Sequence, residues 1–144
     1  MIEVPVAYGD AFDKLTILEI KAIRLESPAA RHNVLHERRR LGERLSTMLQ
    51  DWEQHEELTP ALNDLRSVNG RLWDLENNAR MQLSANGKTL QLAETAAEIF
   101  ARNEQRAFLK RRINDILNSP LVEEKQYAAS AASSIGLQLA DVAG

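Results

Sequence analysis

This chain predicts an all-α fold: four long helices in an antiparallel bundle or as paired helical hairpins, behind a short extended N-terminal lead. Apolar residues return every three or four positions over long runs, the period of an amphipathic helix. Ser27-Pro28, Thr59-Pro60, Asn86-Gly87 and Ser119-Pro120 punctuate those runs with helix start and stop signals. The connections between them are short, which makes sequential helices antiparallel neighbours.

The lead comes first. Val4-Pro5-Val6 and Gly9 interrupt any helical pattern, so residues 1–9 read as an extended segment or edge strand. Asp10 is the expected N-cap of the first helix, and Asp13 three residues later favours its positive end. That helix runs to about Glu26 with Ala11, Leu15, Leu18, Ala22 and Leu25 on one face. Ile17 and Ile20 lie on the other side, the mark of a central helix packed between neighbours. Lys14, Glu19, Lys21 and Arg24 are then not all free to reach water.

The second helix is expected from Ser27 as cap, with Pro28 at its first position, to about His55. Its buried stripe is Val34, Leu41, Leu45, Met48 and Trp52. The third runs from Thr59-Pro60 to about Ser84, and the fourth from about Lys88 to Asn118. Leu121 to Tyr127 reads as one short helix. Residues 128–144 form an Ala/Ser-rich tail, outside a single helical domain of residues 1–127.

Composition bounds the function. A chain of 144 residues makes one domain, and a domain of that size buries roughly 68–70% of its unfolded surface. Hydrophobic content of 44% and charged content of 27% are those of a globular protein. A net charge of −3 argues against a dedicated nucleic-acid binder. Arg38-Arg39-Arg40 sits between Glu37 and Glu43, so it reads as a solvated helix face. The absence of cysteine removes disulfides, zinc thiolates and thiol catalysis. No secretory leader pattern and no apolar run of membrane-spanning length occurs, so a cytoplasmic location without a membrane span is expected.

The informative feature is polar. Asn69, Trp73, Glu76 and Arg80 share a helical face with Leu62, Leu65, Leu72 and Leu83. Asn103, Arg106 and Lys110 run through Leu92, Ala96, Ile99, Ile113 and Leu117. A seam facing a core does not place Asn, Arg and Lys on successive turns unless something compensates their desolvation. With Lys14, Glu19 and Lys21 from the first helix, two carboxylates (Glu19, Glu76) would face five cations (Lys14, Lys21, Arg80, Arg106, Lys110). Two readings follow. One is a net-cationic pocket for a small carboxylate or phosphate, walled by Trp73, in an enzyme or sensor. The other is a buried network that fixes helix register or a dimer seam, with Arg106 balanced by Glu76. Because the longer helices would project beyond a monomeric core, a homodimer is expected.

Other chemistry finds little footing. His32 and His36 stand four apart, but lie on the solvent face without a carboxylate to complete a metal set. Glu94 and Glu98 lack the second acidic cluster that a helical Mg²⁺ site requires. No Gly-x-Ser-x-Gly elbow and no glycine-rich phosphate loop occurs. No cofactor and no metal is expected.

Four segments carry a resemblance: Gly9–Lys21 (GDAFDKLTILEIK), Val68–Glu76 (VNGRLWDLE), Asn103–Lys110 (NEQRAFLK) and Leu121–Tyr127 (LVEEKQY). In that order they resemble a bacterial family of small all-helical proteins of unknown function, over most of residues 2–127. The resemblance implies no activity. It adds Asp13, Glu124, Lys125 and Tyr127 to the expected cluster. Family members sometimes accompany glycosyltransferase or surface-polysaccharide proteins, which implies a helical binding or accessory role in such a pathway.

Overall fold

The computed structural model describes residues 1–85 and 89–124. Among them stand α1 (Tyr8–Arg24), α2 (Pro28–Met48), α3 (Leu58–Ser84) and α4 (Thr89–Ile116), with one 3-10 turn at Trp52–Gln54. The helices form two antiparallel hairpins, α1–α2 and α3–α4. Helix α1 lies at the centre, packed against each of the other three, while the contacts of α2 are chiefly with α1. Its two apolar sides explain that position, and the all-α expectation holds.

Two boundaries differ from the sequence reading. Helix α1 starts at Tyr8 with Ala7 at the cap position, and Asp10 sits inside the first turn. Asp10 has a tertiary partner instead, described below. Helix α2 begins as expected, with Ser27 Oγ accepting from the Ala30 amide at 3.3 Å and Pro28 in the first turn. It stops at Met48, well short of His55. Asp51 takes a left-handed φ of 56°, which turns the chain so that Trp52 folds back. The Trp52 ring meets Phe12 edge-on at 5.0 Å. That aromatic contact needs the bend, so a straight helix loses to it. Met48, expected in the stripe, is exposed.

The core is a cluster of Phe12 and Leu15 from α1, Leu45 from α2, Leu58, Leu62, Leu65 and Leu72 from α3, and Leu109 and Ile113 from α4. The hairpins are unequal in length, and that decides what is covered. At 1.5 Å per residue, α3 and α4 each run roughly 40 Å against about 25 Å for α1. Buried residues of α3 end at Leu75, and those of α4 begin at Leu109. Leu83, expected in the seam, is exposed because α1 has ended before reaching it. Residues 121–124 carry no helix. The rest of the short helix expected there, the 128–144 tail and the Asn86-Gly87 stop lie outside the described residues.

Candidate functional site

Polar side chains from α1, α3 and α4 do meet, around Asp13. This carboxylate is 5% exposed. It accepts from Arg106 twice, Nε to Oδ1 at 2.9 Å and Nη2 to Oδ2 at 2.6 Å. Asn69 donates to the same Oδ1 at 3.0 Å and to Thr16 Oγ1 at 2.8 Å. Thr16 in turn donates to the Asp13 carbonyl at 2.8 Å, back-bonding within α1. Every member of this group is bonded, which is the condition under which a buried charge is tolerated. The bidentate Arg106 fork is the strong geometry for such a pair.

One turn further along, Lys110 is clamped between Asp10 at 2.6 Å and Glu123 at 2.7 Å. Burial and a hydrogen bond with Glu123 push the Asp10 carboxyl above its ordinary value of 3.8, although Lys110 pulls the other way. For Lys110, burial acts downward, but the hydrogen bonds to Asp10 and Glu123 outweigh it and the ammonium is held above 10.5. Beside this clamp the helices touch backbone to backbone. A Cβ at Gly9 would run into the Lys110 carbonyl. The Gly9 amide donates to Asn114 Oδ1 at 2.6 Å, and the Tyr8 amide to Ser119 Oγ at 3.1 Å. The first free amides of α1 are thus capped by α4 and the segment after it, not by a local Asp.

The signs of the pH dependence follow. The raised Asp10 value favours the folded state most below 3.8, and that contribution fades as pH rises through the raised value. The raised Lys110 value favours folding below 10.5 and fades above it. Urea unfolding from pH 3 to 11 should therefore show stability lost in both intervals. The acid-side slope should flatten in Asp10→Asn. An unchanged slope in that variant would contradict the upward shift of Asp10.

The residues expected at the site divide clearly. Asn69, Arg106 and Lys110 are in it, and Asp13, which the resemblance singled out, is its centre. Lys14 is exposed and pairs with Glu37 of α2 at 2.6 Å. Glu19 faces α3 and binds Arg66 at 2.8 Å, with Arg38 at 3.7 Å. Glu76 and Arg80 are exposed, and Arg80 donates to its neighbour Asn77. They were expected to be sheltered, but α1 ends at Arg24, which pairs with Asp74, and covers nothing beyond. The partner of Arg106 is Asp13, not Glu76. Lys21, Trp73 and Asn103 are half-buried and join neither group. Glu124 is exposed and pairs loosely with Arg111 at 3.3 Å. Lys125 and Tyr127 lie outside the described residues.

Among the described residues the expected surplus of cations is not found. Asp13 balances Arg106, and two carboxylates flank Lys110. Sequence reasoning took Asp10 for a cap and overlooked Thr16, Asn114 and Glu123. One signal was present: Asp10 and Asp13 are three apart on one face, and Asn114 extends the Arg106–Lys110 row by another turn. Among the described residues no group of three or more His, Asp or Glu side chains could hold a metal ion. No helix there is long and apolar enough to cross a membrane. No family model, curated protein or solved structure matches the chain.

Proposed function

We propose that the protein is a helical binding module that works as a homodimer, with the Asp13 cluster setting helix register and the far end of the α3–α4 hairpin making the interface. The observation that carries this reading is an uncovered apolar surface. Beyond Asp74 on α3, and before Arg106 on α4, no hydrogen bond or ion pair joins the hairpin to α1 or α2 among the described residues. Leu90 and Phe100 are each 70% exposed there, and Met81 and Leu83 62%. A two-helix end with greasy outer faces is weakly held in water, because helices draw most of their stability from packing. A second hairpin laid alongside completes a four-helix bundle under two-fold symmetry. The family resemblance adds a setting to this reading, as an accessory protein in surface-polysaccharide or glycosyl-transfer work.

Sedimentation equilibrium of the full chain tests it. The expected mass is twice the 16.2 kDa of one chain. Phe100→Glu should return the protein to a monomer with its helical circular dichroism retained. A wild-type chain that stays monomeric at high micromolar concentration would remove the proposal.

A further inference from the structure

A second polar region lies outside the Asp13 cluster, in a groove of about 560 Å³ between the outer sides of α3 and α4. That volume is within the roughly 300–1,000 Å³ of small-molecule sites. Its charge is opposite to that of the chain. Arg71, Arg102 and Arg112 line it, with Asp64 as the one lining carboxylate. Glu98, just outside, is shared. It holds Arg71 by a fork at 2.9 and 3.0 Å and approaches Arg102 at 3.8 Å. Arg102 Nη1 spends itself on Gln105 at 2.8 Å, while its Nε is buried with no acceptor. Arg112 makes no ion pair among the described residues. Guanidinium donors therefore outnumber acceptors in this groove, unlike in the Asp13 cluster, where every cation is matched.

The groove also offers an apolar face. Phe108 stands at it 67% exposed, on a helix whose next residue, Leu109, is buried in the core. An exposed phenyl ring beside Arg112, which has no ion pair among the described residues, and the partly exposed guanidinium of Arg102 is the pairing that takes a flat ring by stacking and an attached anion by hydrogen bonds. We propose that this groove binds an organic phosphate bearing a planar ring, of the nucleotide class, with Arg102 and Arg112 on the phosphate and Phe108 against the ring. The site is separate from the proposed dimer surface, which uses Phe100 and Leu90, so either can fail alone.

Isothermal titration of the full-length protein with ADP tests the proposal, with inorganic phosphate as the charge-only arm and adenosine as the ring-only arm. ADP is expected to bind, and to bind at least tenfold more tightly than either fragment. Arg112→Glu and Phe108→Ala, both at exposed positions, should each weaken ADP at least tenfold. Arg111→Ala, which pairs with Glu124 outside the groove, should leave ADP affinity within twofold. Circular dichroism of each variant verifies its fold. No ADP binding, equal binding of phosphate and ADP, or binding untouched by Arg112→Glu and Phe108→Ala would each overturn the assignment.

Discussion

Asp13→Ala is expected to be the most damaging single substitution on the polar face of α1. It strips Arg106 of both carboxylate oxygens and leaves Asn69 with only Thr16 to bond. Breaking a buried pair by removing one partner costs about 3–5 kcal/mol, and the 31% exposure of the Arg106 side chain places the loss here at the lower end of that range. Whole domains of this kind are stable by only about 5–15 kcal/mol. A fall in Tm of roughly 10–20 °C follows at a few degrees per kcal/mol. The decisive comparison is Asp13→Leu with Arg106→Met. Replacing both charges by apolar groups leaves no stranded ion, so the double variant should recover much of what either single change loses. Calorimetry or urea unfolding of the four proteins reads the coupling. A loss below about 1 kcal/mol for Asp13→Ala would mean that the pair behaves as a solvated surface bridge.

Gly9→Ala should rank next, for a steric reason. The added methyl meets the backbone carbonyl of Lys110, which cannot swing aside as a side chain would. Relief requires α1 and α4 to separate, and that pulls the Gly9 amide from Asn114 Oδ1. Overpacking costs about 1–3 kcal/mol, and a buried amide left without an acceptor about 1–3 more. Gly42→Ala and Gly70→Ala are the internal controls. Neither Cβ would meet anything within 4 Å, and both glycines lie inside helices, where alanine gains about 0.5–1 kcal/mol. Opposite signs for one substitution type at three glycines would be direct evidence of the close contact. A Gly9→Ala protein as stable as wild type would refute it.

How much of this was legible from residues differs by element. The Ser27-Pro28 start of α2 could be read directly, because a cap and a proline act on their own turn. So could the central place of α1, since Ile17 and Ile20 stand opposite its main seam. The end of α2 could not, because Trp52 turns back onto Phe12, forty residues earlier in the chain. The polar stripe was half legible. Periodicity gave the faces of α3 and α4 and picked out Asn69, Arg106 and Lys110. It carried Glu76 and Arg80 along on the same face, since a repeat of 3.6 residues says nothing about where the covering helix ends.

The local code of this chain (caps, breaks and the spacing of apolar residues) is sufficient for four helices folded as two hairpins, since each of those signals acts within a turn or two of backbone. Which charges find each other is a different kind of information. Asp13 and Arg106 stand 93 residues apart, and their pairing follows from the close approach of α1 to α4 that Gly9 permits. The balance of charge inside follows from the packing of α1 against α3 and α4. Burial makes a carboxylate seek a cation, but only the crossing of two helices supplies one.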